Sequence, residues 1–312
     1  MNTQTSIRKQ KGKSGWGILA LAFATLVGTT ILQIIGYVIS YVCTRTEALP
    51  FTTMSQLFTA GSMVLGMLVL GGIAWIRPSR EDIRVTFRTY WPIIAADVAI
   101  VLFACGEYII EGASVSPNWL PNLAITLVLC LGIGIAEEFL FRGIILNGIL
   151  AVSGKSHRGT MIAVAITSLL FGLVHVSLST DFAEPLLAVQ AVLKIVQTAL
   201  FSICMCSIVL RTHRLGGVSL LHGLTDFLLL VPSLALAGES LTVNYVHSGE
   251  DGMMSIVVYL VIIAFYLPFA IKALRQMHRE RVAYRGVFFE RAAKRRNSGN
   301  TPTLTEGMAN AA

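Results

Sequence analysis

Charge is what this 312-residue chain lacks most: 13% of its residues are Asp, Glu, Lys or Arg, against 54% hydrophobic. Soluble domains carry roughly 25% charged residues, and a soluble fold of this size could not cover its surface with so few. The shortage excludes a soluble enzyme and a disordered chain. Cysteine is scarce as well. Of the five, Cys105, Cys130, Cys204 and Cys206 sit inside apolar runs and read as small core residues, so no disulfide framework is expected. Cys204 and Cys206 are two residues apart, on different faces of a helix, which argues against a zinc pair. No run alternates strictly between apolar and polar residues, as a β-barrel would require. G-x-S-x-G, H-E-x-x-H and a glycine-rich phosphate loop are all missing from the chain. That excludes the serine nucleophile elbow, the zincin helix and an ATP-driven pump.

Apolar sequence is abundant instead, with a mean hydropathy of +0.71. Eight runs can span a bilayer, which takes about 20 helical residues each: 17–41, 54–76, 92–110, 120–141, 160–178, 186–210, 215–236 and 255–274. The fourth can continue as helix through Leu150. Of the 24 Lys and Arg residues, only Arg45, Arg142 and Lys194 lie outside the N-terminal tail, the loops after runs two, four and six, and the C-terminal segment. The positive-inside rule then puts both termini in the cytoplasm, which an even number of spans satisfies. The expected fold is all-α and polytopic, with about eight transmembrane helices. Residues 1–15 form a basic cytoplasmic tail, 16–119 N-terminal membrane helices, 120–236 a core, 237–275 the last outer loop and final helix, and 276–312 a second basic tail. The net charge of +7 is therefore topological, and no nucleic-acid partner is expected. The first run is too long, and lacks the small-x-small site, for a cleavable signal peptide.

Ionisable side chains inside such runs are costly and mark function by default. Asp97, Glu107 and Lys194 are isolated. Six others fall into three clusters on three runs. Glu138 and Arg142 are four apart, so one helix face can hold their ion pair, while Glu137 points about 100° away and is left free as a base. His175 follows Phe171 by one turn. His222 and Asp226 again share a face. Glycines at 132, 134, 143, 172, 216, 217 and 223 flank the clusters and permit close helix approach. Carboxylate and histidine together can deprotonate a water, and a second histidine can stabilise an oxyanion. The same groups could instead bind a divalent metal such as zinc, with Glu137, His175, His222 and Asp226 as ligands.

Glu137-Glu138-x-x-x-Arg142, Phe171-x-x-x-His175 and His222-x-x-x-Asp226, in this order on successive runs, resemble the signature of the CPBP family of intramembrane proteases. That family comprises the CAAX proteases and bacteriocin-processing enzymes, and is also called Abi. The resemblance covers residues 120–236. It implies a helical membrane endopeptidase acting on membrane-associated peptides or proteins, of CAAX or bacteriocin type, in a bacterial cytoplasmic membrane. It also implies roles: Glu137 as general base, His175 orienting the water, and His222 with Asp226 on the oxyanion side. Glu138 and Arg142 shape the site from behind. A metalloprotease description of the family exists alongside the metal-free glutamate one. Aspartate at 226 departs from the family's common asparagine. An ionised carboxylate repels an oxyanion, so Asp226 must be protonated, orient His222 or bind a metal.

Two other readings compete, a non-catalytic scaffold or immunity protein and a small-molecule transporter. An intact first motif with both histidines speaks against the former, and the lack of an inverted repeat against the latter. One mismatch stands in the expected spans. His175 lies about 22 Å above the start of run five and His222 about 10 Å above that of run seven, at 1.5 Å per residue. They can meet only if helix five starts outside the membrane or tilts.

Overall fold

The computed structural model describes residues 15–43, scattered positions within 57–68, and 78–110, 115–153, 156–177, 180–239 and 245–280. Most of the expected second run, most of both basic tails and the side chain of Glu107 lie outside the described residues. Those described form helices and connections, with no strand among them. The helices are α1 (Gly15–Cys43), α2 (Arg80–Ile110), α3 (Trp119–Glu138), α4 (Leu146–Ser153), α5 (His157–Leu173), α6 (Pro185–Thr212), α7 (Gly216–Leu230) and α8 (Gly249–Arg279). A π-helical turn, Phe139–Ile145, joins α3 to α4, and a second, Val231–Ala237, extends α7. Five helical stretches among the described residues are long and apolar enough to cross a membrane: Arg80–Gly106, Trp119–Ser153, Pro185–Thr212, Gly216–Ala237 and Gly249–Arg279. The protein is a multi-pass helical membrane protein.

Three local features differ from the expected spans. Helix α2 starts at Arg80, twelve residues before the expected run, because Ser79 caps it, its Oγ accepting from the Asp82 N–H at 3.0 Å. Ser-x-x-Asp is a capping signature readable in the sequence. Pro92 inside the helix removes one amide donor and crowds the preceding turn. The chain bends two residues earlier, at Tyr90 (φ −120°, ψ 18°), whose hydroxyl reaches Ser207 Oγ at 3.1 Å across to α6. The fourth run does continue unbroken, from Trp119 to Ser153. The fifth is shorter than expected. Helix α5 has 17 residues and ends at Leu173, so His175 lies in the turn beyond it.

From His157 to Leu173 the helix rises about 24 Å, matching the roughly 24 Å from Glu137 to Ser153. Helix α5 therefore climbs beside α4, against which it packs, and brings His175 to the level of Glu137. Helix α6 packs against α5 and α8, and α7 against α2 and α3. Outward faces are apolar, with Phe103, Val128, Val192 and Val261 each more than half exposed. Polar groups such as Glu138, Arg142, Asn147, Gln190 and His222 are turned inward. This suits a chain whose solvent is hydrocarbon, where unsatisfied polar groups cost several kcal/mol (roughly) each.

Candidate active site

Two glycine contacts set the distance between the elements that carry the carboxylates and His222. A Cβ on Gly134 of α3 would stand 2.6 Å from the Gly223 nitrogen and 2.7 Å from the Ser219 oxygen of α7, and a Cβ on Gly223 would meet Cys130 O at 2.9 Å. Only glycine allows this approach. Gly172 does the same for α5 against α6, its Cβ position lying 2.6 Å from Ile195 O. At the start of α7, Asp82 Oδ2 accepts from the Gly217 N–H at 2.7 Å, satisfying a helix-end donor with a fully buried carboxylate. Of the other flanking glycines, Gly132 has, among the described residues, only Ala60 Cβ at 3.3 Å from its Cβ position.

The first motif ends in the π-turn. Widening the helical turn frees carbonyls, and Asn147 takes up two of them, donating from Nδ2 to Arg142 O at 2.8 Å and Gly143 O at 3.0 Å. Such turns are frequent at functional sites. Glu138 and Arg142 are both fully buried, with Nη1 3.1 Å from Oε1. No guanidinium N–H is aligned for a hydrogen bond there, so the contact is Coulombic. The guanidinium also lies 4.3 Å from the centroid of the Phe171 ring, a cation–π contact. The same Glu138 Oε1 accepts from His222 Nδ1 at 3.0 Å.

His222 Nε2 is thereby turned toward Glu137 Oε2, at 3.8 Å, and Asp226 Oδ2, at 3.5 Å. His175 donates from Nδ1 to the Phe171 carbonyl at 2.6 Å. A carbonyl can only accept, so Nδ1 carries a proton, and in the neutral ring Nε2 carries the lone pair. That atom, Nε2, is 3.9 Å from Glu137 Oε2. Glu137 thus stands between the two histidines, and its Oε2 is buried without a hydrogen bond from any described residue. Phe171 packs on both imidazoles, with centroids 4.6 and 5.9 Å away, and Phe201 of α6 on His222 at 5.2 Å.

The six residues singled out from the motifs therefore come together from α3, the π-helical turn after it, the turn beyond α5, and α7. Asp97 is buried on α2, in the helix that packs against α7. Lys194 lies over the rings of Tyr245 and Tyr259 at 4.0 and 6.0 Å. Sequence reasoning missed Phe201, which no spacing tied to His222, and Tyr245, a loop residue whose ring is 6.3 Å from that of His175. Burial pushes the Tyr245 phenol above its ordinary range. As for a metal, donors contact each other pairwise through Glu137 and His222. Among the described residues no group of three or more His, Cys, Asp and Glu is arranged to hold an ion.

The comparison with known families bears on what this interior cluster of carboxylates and histidines does. Residues 118–228 match the model of the type II CAAX prenyl endopeptidases, Rce1-like. The matched stretch runs from the N-cap of α3 into α7 and contains all six residues. Over that stretch the chain is similar to the CAAX-type intramembrane endopeptidases. No curated protein and no solved structure matches it.

Proposed function

We propose that the protein hydrolyses peptide bonds of membrane-associated peptides or proteins with a water activated by Glu137, without a metal. The observation that carries this is the position of Glu137 Oε2, 3.9 Å from one histidine Nε2 and 3.8 Å from the other. These separations are too long for direct hydrogen bonds and suit a water between the groups. Such a water donates one hydrogen to Glu137 and the other to the lone pair of His175, which aims its own lone pair at the scissile carbonyl. As the oxygen bonds to the carbonyl carbon, Glu137 takes the first proton. When the C–N bond breaks, Glu137 returns that proton to the leaving amine, giving one new carboxylic acid and one new amine.

The oxyanion needs a positive neighbour. His222, between the Glu138 carboxylate on Nδ1 and Asp226 on Nε2, is suited to being an imidazolium, and this accounts for aspartate at 226. Asp226 acts on His222, and His222 on the oxyanion. Arg142 balances the charge of Glu138. Substrates of CAAX type, with bacteriocin-type processing as the variant, and a bacterial cytoplasmic membrane accord with the family. The test is cleavage of a membrane peptide by purified Glu137→Ala and His175→Ala proteins that still insert. Loss in both is expected. Full activity in Glu137→Ala refutes the mechanism.

A further inference from the structure

The basic end of α8 carries a groove that the chemistry above does not use. Its volume is about 910 Å³. The deeper half is apolar, with Leu267 and Ile271 exposed along it, and the outer half carries Lys272, Arg275 and Arg279. These three cations fall within about 60° of one another around the helix, and all are exposed. None of them is in an ion pair among the described residues. Glu280, the acid at the rim, is already engaged. It accepts from Gln276 Nε2 at 2.8 Å and stands 3.5 Å from Arg211 Nε of α6. The rim is therefore positive, with its donors turned outward. This end of α8 is also fixed to the bundle, through Arg211 of α6 and through His157 of α5, whose Nε2 meets His278 Nδ1 at 3.1 Å.

A ligand for this groove must suit both halves. The positive-inside rule turns this end of α8 to the cytoplasm, so the cations stand at headgroup level and the apolar half lies in hydrocarbon. From Ala264 to Ile271 the helix rises about 10 Å, and from Ile271 to Arg279 about 12 Å more. A free phosphate would use the cations alone, and a neutral lipid the apolar half alone. An anionic phospholipid uses both. Its phosphate accepts charge-assisted hydrogen bonds from the guanidinium groups, and an acyl chain lies along Leu267 and Ile271. Basic pockets on the cytoplasmic side of membrane helices take such headgroups. We propose that the groove on α8 binds one anionic phospholipid of the cytoplasmic leaflet through Lys272, Arg275 and Arg279. This goes beyond the protease reading and does not depend on it.

The experiment titrates the purified, delipidated full chain in detergent with dioleoylphosphatidylglycerol and with dioleoylphosphatidylcholine, counting bound lipid by native mass spectrometry. Each cation at headgroup level is worth about fivefold in affinity. Wild type should therefore bind one phosphatidylglycerol about 10- to 100-fold more tightly than phosphatidylcholine. The triple variant K272Q/R275Q/R279Q should bring that ratio to within about threefold of unity. A second triple variant, R80Q/R84Q/R88Q on α2, removes as many exposed arginines from the same side of the membrane and should keep the ratio. Equal loss in the two triple variants means diffuse attraction to the leaflet and overturns the inference. Wild type without a preference overturns it too, and needs no variant to fold. So does displacement of the bound phosphatidylglycerol by equimolar inorganic phosphate, which would mean an anion site that makes no use of the lipid chain.

Discussion

Replacing Arg142 by methionine tests whether the buried ion pair behind the site supports it. Glu138 is fully buried, and among the described residues its charge is met by Arg142 Nη1 at 3.1 Å and His222 Nδ1 at 3.0 Å. At 3.1 Å and an effective dielectric constant near 20, the gross Coulomb attraction is about 5 kcal/mol. Removing one partner of such a pair costs about 3–5 kcal/mol, because the remaining charge stays buried and uncompensated. Arg142→Met should therefore destabilise the detergent-solubilised protein by about 3 kcal/mol or more in denaturant unfolding followed by tryptophan fluorescence. Adding Glu138→Gln removes the stranded charge and should recover at least half of the loss. It should not recover cleavage, because His222 loses the carboxylate that orients it. A single variant within about 1 kcal/mol of wild type, or a double variant no more stable than the single, contradicts the reasoning.

The glycine contact between α3 and α7 makes a second prediction. Gly134→Ala puts a methyl 2.6 Å from backbone, so the helices must part, at a cost of about 1–3 kcal/mol. Cleavage should slow, since Glu137 and His222 ride on those two helices. Gly132→Ala, whose nearest neighbour among the described residues is a single methyl at 3.3 Å, should be near neutral by the same unfolding measurement. At the departure from the family signature, Asp226→Asn takes away the negative charge facing His222 Nε2. It should lower kcat about tenfold or more. A rate equal to or above wild type means that position 226 acts on the oxyanion directly.

Much of the site could be read before any coordinates, because a helix fixes its own neighbours. The spacing of Glu138 and Arg142, and of His222 and Asp226, places each pair on one face, and both pairs are in contact. Contacts between helices were not legible in that way. Nothing in the spacing says that His222 would take the same oxygen of Glu138 that Arg142 approaches, or that Glu137 would stand between two histidines. Those follow from Gly134 meeting Gly223 and from α5 stopping at Leu173. The π-turn at Phe139–Ile145 was hidden because its residues are ordinary helix formers, and only Asn147 marks it. The start of α2 was legible in Ser79 and Asp82 but was obscured by arginines that look like a loop. Tyr245 could not have been found, since a loop residue has no periodicity and its loop is fastened beside the site by Tyr259, Gln190 and Lys194.

The most direct test of the central claim is peptide cleavage by the purified protein in the presence and absence of a chelator, with Glu137→Ala alongside. Activation of water by Glu137 without a metal predicts a wild-type rate unchanged by chelator and a Glu137→Ala rate at background. Cleavage that chelator abolishes and added zinc restores contradicts it.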